Sequence, residues 1–291
     1  MLLYAALYLT GYDWDIEEIK QFRQLGSHAA GHPELDVSKG VEVTTGPLGQ
    51  GLANAIGMAI SAKRLAKIYG DDKINYHTFC FVGDGCLMEG ISHEAASLVP
   101  KLIDSGLTVI WDDNGISIDG EIDPWFEKDV LARFESYGFE VIRNIDGHDP
   151  EAIKKALLEA KIQQRPCFIQ MKTKIGKGCH GYEGLAKAHG QPVDPESIAK
   201  MRQDLEWPHP PFEIPEELMN MWRVESDGKK ESLPEAKVSF DLSDWLSQQE
   251  ERGEATRKAS ARVLTELAPL IPHLIGGSAD LTASNLTQLP D

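Results

Sequence analysis

Two short apolar segments near the middle of the chain predict buried strands of a parallel sheet. Residues 77–82 (HTFCFV) are apolar and end at a glycine, and residues 107–111 (LTVIW) end at acidic residues. Between them, residues 88–103 have the pattern of a helix. A strand, a helix and a second strand in this order form the crossover unit that parallel pairing requires.

The remaining apolar pattern extends this unit into a larger α/β domain. Residues 139–143 and 167–172 predict two more strands. Apolar positions at helical spacing predict helices at residues 2–9, 16–25, 52–69, 126–137, from Pro150 onwards, and 257–270. We expect a first domain over residues 1–205, a linker with little apolar periodicity over residues 206–254, and the start of a second α/β domain over residues 255–291.

Polar residues follow both of the first two strands, at the point where each strand ends. Asp84 stands between two glycines after the first strand, and Asn114 follows the second. Because ligands bind beyond the carboxyl ends of parallel strands, we expect these side chains to lie close together. Mg²⁺ takes about six oxygen ligands at about 2.1 Å, often shared with phosphates, and glycines let a diphosphate approach the backbone. We predict a metal–diphosphate site; the alternative is that both segments are plain tight turns.

Two further segments have the composition of binding loops. Residues 44–51 (TTGPLGQG) place three glycines just before the helix predicted at residues 52–69, and a loop rich in glycine, lysine and histidine follows residue 172. Glycine-rich helix starts commonly bind anionic groups, and loops that follow strands commonly carry function. For the glycine-rich segment the alternative is a purely structural helix start.

The charge balance restricts the possible partners. With 46 acidic and 29 basic residues, the formal net charge is -17. A chain this acidic is repelled by the phosphates of nucleic acid and of anionic membranes, so we exclude both as partners. A diphosphate bound to such a protein needs a local cation, which a divalent metal ion supplies.

The cysteines and the apolar segments indicate a cytoplasmic protein. The four cysteines have no CxxC spacing and are too few for a disulfide-rich secreted scaffold, so we expect reduced thiols. No apolar run approaches the roughly 18 residues of a membrane-spanning helix. The start, MLLYAALYLTGYDWD, lacks the basic residues of a signal peptide. We expect a buried helix there, whose preceding neighbours are absent.

A series of short motifs runs along the chain. In order these motifs are FRQLGS, GHPE, GVEVTTGPLGQG, GDGCLMEGISHEA, DDNGISIDG, IDGHD, HGQP, FEIP, TRKAS and GGSADLTASNLT. Together they resemble transketolase, a thiamine diphosphate enzyme. The stretch TTGPLGQG is similar to transketolase and unlike the relatives that make deoxyxylulose phosphate. The resemblance implies a doubly wound parallel sheet of the thiamine diphosphate-binding type. Residues 1–205 would form its diphosphate (PP) domain without the first unit, and residues 255–291 would begin the pyrimidine-binding domain.

The resemblance also implies which residues bind the metal and the diphosphate. The side chains of Asp84 and Asn114 and the backbone oxygen of Ile116 match the ligands of Mg²⁺, for which Ca²⁺ or Mn²⁺ are possible substitutes. Gly85 and Asn114 match positions at the diphosphate. These matches agree with the oxygen site predicted from the two strand ends.

Other residues match positions around the rest of the cofactor. Gly46 and Leu48 match residues that line the aminopyrimidine and thiazolium region of thiamine diphosphate. Asp280 matches a residue that lies near the cofactor, and His189 matches a histidine that contacts both the diphosphate and the substrate.

The resemblance implies four substrate-binding residues. His32 matches a histidine beside the reacting centre and, with His189, would act in catalysis, although imidazoles in loops are otherwise ordinary polar groups. Arg257 and Ser284 match the pair that binds the sugar phosphate. That role suits a guanidinium fork with a hydroxyl beside it.

The activity that the resemblance implies is transfer of a two-carbon ketol unit from a ketose phosphate to an aldose phosphate, as in the pentose phosphate pathway or the Calvin cycle. Thiamine diphosphate would supply the electron sink, and the two histidines would bind the sugar hydroxyls and transfer protons. The implied partner is a second copy of the chain, or a complementary C-terminal chain. Glu89 and Glu94 match carboxylates at the dimer contact; the alternative for both is a solvated helix face.

The chain departs from the family pattern at both ends. Family members have a strand–helix unit and two further active-site histidines before the position of Met1. After the position of Asp291 they have most of the pyrimidine-binding domain, with the glutamate that activates the cofactor, and a third domain. We therefore expect the isolated chain not to turn over sugar phosphates. Two alternatives stay open: an enzyme of the dihydroxyacetone synthase type, which would accept formaldehyde in place of ribose 5-phosphate, and a non-catalytic fragment that keeps the fold.

Overall fold

The chain forms two units. The computed structural model describes residues 1–123, 125–126, 129–223, 243–247 and 253–289. One unit consists of Met1–Ala62 and Asn75–Asp227, and the other of Lys63–Ile74 and Gly228–Asp291. The division into domains at residues 205 and 255 stays a prediction.

A parallel sheet lies at the centre of the first unit. Its strands are β1 (Thr78–Gly83), β2 (Leu107–Asp113), β5 (Glu140–Asp146) and β6 (Cys167–Lys172), and a separate antiparallel pair consists of β3 (Ile116–Ser117) and β4 (Gly120–Glu121). The strand order in the sheet is β1-β2-β6-β5, and every pairing is parallel. The four strands predicted from apolar runs are confirmed. β2 continues two residues further than predicted, because Asp112 and Asp113 pair with β6.

The helices of the described residues are α1 (Leu2–Thr10), α2 (Ile16–Lys20), α3 (Gln50–Tyr69), α4 (Asp84–Met88), α5 (Gly90–Leu102), α6 (Val130–Ser136), α7 (Pro150–Lys161), α8 (Pro195–Asp204), α9 (Glu216–Trp222), α10 (Ser243–Ser247), α11 (Thr256–Leu267) and α12 (Thr282–Asn285). Short 3-10 helices cover Val37–Lys39, Ala186–His189 and Ala268–Leu270. Every helix in the described part of the chain is too short or too polar to cross a bilayer.

Three helices differ from the sequence prediction. The helix predicted at residues 88–103 is confirmed as α5, which begins two residues later than predicted. A short helix that the sequence did not predict, α4, precedes it, and Glu89 between the two has an extended backbone (ψ 136°). α2 ends at residue 20 instead of 25, and beyond it Arg23 has a left-handed backbone (φ 62°) and donates its N–H to the carbonyl of Ala29. α6 begins at Val130, where the side chain of Asp129 caps it, and not at residue 126.

Helices cover both faces of the sheet. On one face, α3, α5 and α6 pack on alternate residues of the strands in a core that includes Val109, Phe134 and Phe168. On the other face, α7 packs on Ile142 and Ile169. The central strands are therefore buried on both sides, which explains why they read as continuous apolar runs. This arrangement confirms the doubly wound α/β fold.

A smaller core holds the loop that carries His32. The rings of Tyr4 and Trp14 pack with centroids 5.1 Å apart. The Tyr4 hydroxyl donates a hydrogen bond to the carbonyl of Ala30 (2.7 Å), and the indole N–H of Trp14 donates one to the carbonyl of Lys39 (2.7 Å). Each buried ring thus has its polar atom satisfied by the loop backbone on either side of His32.

The second unit packs the end of α3 against residues near the end of the chain. Arg64 donates two hydrogen bonds to the carbonyl of Pro272, at 3.2 and 2.6 Å, and the Tyr69 hydroxyl lies 2.7 Å from Nε2 of His273. α9 and α10 lie within the stretch predicted as a linker, of which residues 224–242 and 248–252 are outside the described residues.

Candidate functional site

Asp84 is a buried carboxylate at the carboxyl end of β1. It is 2% exposed and begins α4. Its Oδ1 accepts a hydrogen bond from the indole N–H of Trp111 (2.9 Å), and its Oδ2 accepts one from the backbone N–H of Gly115 (3.0 Å). Burial raises the pKa of this carboxyl; the two hydrogen bonds lower the pKa, and the carboxylates of Asp113 and Asp112 raise it further.

Asn114 lies at the end of the neighbouring strand, beside Asp84. β1 and β2 pair with Gly83 opposite Asp112, so their carboxyl ends lie at the same edge of the sheet. Nδ2 of Asn114 donates to Oδ2 of Asp112 (3.1 Å), and Oδ1 of Asn114 accepts the backbone N–H of Ile116 (2.9 Å). The three residues predicted to bind a metal therefore lie at one edge of the sheet.

Two glycine-rich segments meet beside these residues. Leu48, in the loop before α3, lies so close to Gly85 that a Cβ at Gly85 would be 3.1 Å from Cδ1 of Leu48. In the same loop, Gly46 (φ 144°) lies against the imidazole of His32, and a Cβ at Gly46 would be 2.3 Å from Cγ of His32. The structure thus places the loop before α3 between the start of α4 and the loop of His32.

The oxygen atoms at this edge of the sheet fit a hard divalent cation. The charged groups that act most on the pKa of Asp84 are the carboxylates of Asp113 and Asp112. Neither compensates the negative charge of the ionised Asp84. Within the described part of the chain, no three His, Cys, Asp or Glu side chains form a ready-made metal cage. A carboxylate, an amide oxygen and a backbone carbonyl are instead a partial set of ligands, of the kind that Mg²⁺ completes with phosphate oxygens and water.

Comparison with known proteins identifies the family. The family model described as transketolase, thiamine diphosphate binding domain, matches residues 1–264. The chain belongs to the transketolase family. The family predicted from the motifs is confirmed, and the matched domain is the one that binds thiamine diphosphate.

Individual transketolases match along the whole chain. Transketolase 2 of Xanthobacter flavus is 46% identical over 324 residues, which cover 100% of this chain and 47% of the relative. The crystal structure of transketolase from Campylobacter jejuni has a TM-score of 0.88 and 40% identity over 99% of this chain and 48% of its own. A transketolase from Pichia stipitis, solved in complex with sedoheptulose 7-phosphate, has a TM-score of 0.84 and 35% identity, with 99% and 47% covered. The chain spans about half the length of the transketolases it matches.

The two histidines predicted to act in a transketolase line one cavity. This cavity has a volume of about 1180 Å³, and its lining includes His32, His189, Arg23 and Lys187. His189 ends the 3-10 helix that packs against β3, so it is held close to the predicted metal-binding strand end. The described residues that line the cavity include two cations and no carboxylate, although the net charge of the chain is -17. The cavity is therefore suited to an anionic ligand.

Three predicted residues of the transketolase site lie in the second unit. Arg257 is in the first turn of α11, Ser284 is in α12, and Asp280 lies just before α12 with a left-handed backbone (φ 62°). All three side chains are exposed, and so are those of Glu89 and Glu94 in the first unit. Their roles stay predictions.

Several polar contacts near Asp84 and Asn114 are not predictable from the motifs. The hydroxyl of Thr173 hydrogen-bonds Oδ1 of Asp112, and Nε2 of Gln170 donates to Oδ2 of Asp113 (2.6 Å). Gln170 carries a signal, since it is a polar residue within the apolar run CFIQMK. Nothing in the sequence marks Trp111 as a partner of Asp84, 27 positions away.

We expect the substitution Gly46→Ala to destabilise the first unit by about 1–3 kcal/mol, because it adds a Cβ against the His32 ring and leaves a side chain on a backbone that favours glycine. Urea denaturation measures the change. The control is Gly57→Ala on α3, where an added Cβ meets no atom within 4 Å. There we expect stabilisation by about 0.5–1 kcal/mol. Equal midpoints for the two variants would contradict close packing of Gly46 on His32.

Proposed function

We propose that this chain binds thiamine diphosphate together with Mg²⁺ and supplies the diphosphate side of a transketolase active site. The observation that carries the proposal is the buried carboxylate of Asp84, which has Asn114 beside it at the edge of the sheet where ligands bind. For the whole protein we propose transfer of a two-carbon ketol unit from a ketose phosphate to an aldose phosphate.

In this proposal, three residues of the chain would hold the metal. Asp84 and Asn114 would contribute side-chain oxygens, and Ile116 would contribute its backbone oxygen. Mg²⁺ is the expected ion, and Ca²⁺ or Mn²⁺ are expected to substitute, since both also accept oxygen ligands. Gly85 has no side chain, so the backbone there can approach the diphosphate closely. Gly46 and Leu48, which lie next to His32 and Gly85, would line the cofactor rings.

The chain's own residues would bind and orient the sugar. When bound, thiamine diphosphate supplies the electron sink for breaking and forming a carbon–carbon bond beside a carbonyl. His32 and His189 line the same cavity and would hydrogen-bond the sugar hydroxyls, and an imidazole exchanges protons near neutral pH. Arg257 and Ser284 would bind the phosphate of the sugar, with Asp280 near the cofactor.

Substrate, assembly and compartment belong to the same proposal. The relative from Pichia stipitis that was solved with sedoheptulose 7-phosphate supports sugar phosphates as substrates. A homodimer, or pairing with a complementary C-terminal chain, would complete the site, and the exposed carboxylates of Glu89 and Glu94 are candidates for that contact. The four free cysteines support a reducing, cytoplasmic compartment.

Isothermal titration calorimetry tests the proposed function. The protein is titrated with thiamine diphosphate in Mg²⁺ and again in EDTA, and thiamine, which lacks the diphosphate, serves as the matched control ligand. We expect binding in Mg²⁺ to be at least about tenfold tighter than in EDTA, which corresponds to about 1.4 kcal/mol. We expect thiamine to show no such dependence. Binding of thiamine diphosphate that EDTA does not weaken would contradict the proposal.

A further inference from the structure

We propose that Trp111 is a positioning residue of the metal site, whose indole N–H holds the Asp84 carboxylate in one orientation. The inference rests on the proposed function, because it concerns the same site. It assigns a role in the site to a residue that lies in the interior of β2.

The geometry leaves the Asp84 carboxylate little freedom to rotate. Trp111 is 5% exposed and Asp84 is 2% exposed, so water does not replace their contact. Nε1 of Trp111 lies 2.9 Å from Oδ1, and the backbone N–H of Gly115 lies 3.0 Å from Oδ2. Each carboxylate oxygen therefore has one donor from a fixed part of the protein. A carboxylate has about four lone-pair positions, so both oxygens keep capacity for a cation.

The indole is itself held by the sheet and the core. Trp111 pairs in register with Val82 of β1 and Gln170 of β6, so its backbone is fixed on both sides. Its ring packs on Phe168, with ring centroids 6.1 Å apart, and Phe168 in turn stacks on Phe134 at 3.8 Å. Since such a core is close-packed, the N–H cannot turn away from Asp84 without displacing its neighbours.

Loss of the indole N–H should weaken metal binding, whereas a loss of packing alone should not. A buried carboxylate oxygen without its hydrogen bond is costly, and the side chain is free to adopt other orientations. Partners that orient a metal ligand in this way typically account for 10–100-fold in metal affinity. The affinity for the cation should therefore depend on the indole N–H itself.

The test replaces the indole N–H and keeps an aromatic ring. In Trp111→Phe, we expect the Mg²⁺ concentration that half-saturates thiamine diphosphate binding to rise about 10–100-fold. At saturating Mg²⁺ we expect the affinity for thiamine diphosphate to return to within about threefold of the unmodified protein, because the diphosphate contacts are unchanged. Replacing Trp111 by 3-benzothienylalanine, which has sulfur in place of the N–H and nearly the same shape, should give the same shift.

The control is Phe168→Leu, which disturbs the packing under Trp111 but removes no hydrogen bond of Asp84. We expect it to lower the thermal unfolding temperature and to leave the Mg²⁺ requirement within about threefold. Equal shifts of the Mg²⁺ requirement in the Trp111 and Phe168 variants, or no shift with benzothienylalanine, would overturn the inference. The proposed function would still stand if the unmodified protein binds thiamine diphosphate in a metal-dependent way. An unmodified protein without metal dependence would overturn both.

Discussion

We expect the substitution Asp84→Asn to weaken Mg²⁺-dependent binding of thiamine diphosphate by more than about 100-fold. The amide has nearly the same shape and keeps an oxygen that can accept the N–H of Trp111. Its NH2 group cannot accept the backbone N–H of Gly115, so the change removes the negative charge and one accepted hydrogen bond. That charge directly faces the proposed cation, and even indirect partners of a metal ligand are worth 10–100-fold in affinity. Calorimetric titration in Mg²⁺ measures the loss, and circular dichroism verifies the fold.

The matched control is Asp113→Asn, the same chemical change on the neighbouring strand. Asp113 is 9% exposed, and its Oδ2 has partners of its own, Nε2 of Gln170 at 2.6 Å and Nζ of Lys172 at 2.5 Å. We expect this variant to lose stability because Lys172 loses its ion pair, but to keep its affinity for thiamine diphosphate within about threefold. Similar losses of affinity in both variants would mean that the summed charge at the strand ends, and not Asp84, holds the cation.

The two central strands of the first unit, β2 and β6, are predictable from the sequence, because each is buried on both faces and reads as a continuous apolar run. The end of β2 is not predictable in this way. Asp112 and Asp113 look like residues of a loop, yet they extend the strand because Thr173, Gln170 and Lys172 on or just after β6 bind their carboxylates. The local pattern of apolar and polar residues contains no information about which strand pairs with β2.

The break between α4 and α5 also depends on distant residues. A Cβ at Gly49 would lie 2.7 to 3.0 Å from atoms of Glu89, Ile91 and Ser92, so the loop before α3 packs directly against the break. The hydroxyl of Ser92 donates to the carbonyl of Cys86 (2.5 Å). The break therefore depends on contacts with a segment about 40 positions earlier in the chain.

The candidate site also has one part that the sequence predicts and another that it does not. The proximity of Asp84 and Asn114 follows from parallel pairing alone, since the ends of neighbouring strands must meet. The contacts of Trp111 with Asp84 and of Gly46 with His32 required the tertiary structure, because side-chain direction at a loop or strand end is set by packing.

We expect Phe134→Ala to lower the free energy of unfolding of the first unit by about 3–5 kcal/mol. Phe134 is fully buried, stacks on Phe168 with centroids 3.8 Å apart, and makes an edge contact with Phe139 at 5.2 Å. Removal of its ring leaves a cavity between α6 and the central strand β6. Urea denaturation followed by tryptophan fluorescence measures the change, since Trp111 packs on the same Phe168.

The control for this prediction is Leu158→Ala on α7, where the side chain is 57% exposed, and we expect a change within about 0.5 kcal/mol. The contrast tests whether the aromatic cluster of Phe134, Phe139 and Phe168 supports the strands that end at the candidate site. A loss below about 1 kcal/mol in Phe134→Ala would mean that neighbouring side chains close the cavity, because the cost of such a change depends on how far the site can collapse. A loss of free energy of unfolding in the expected range would mean that this aromatic cluster stabilises the strands that end at the candidate site.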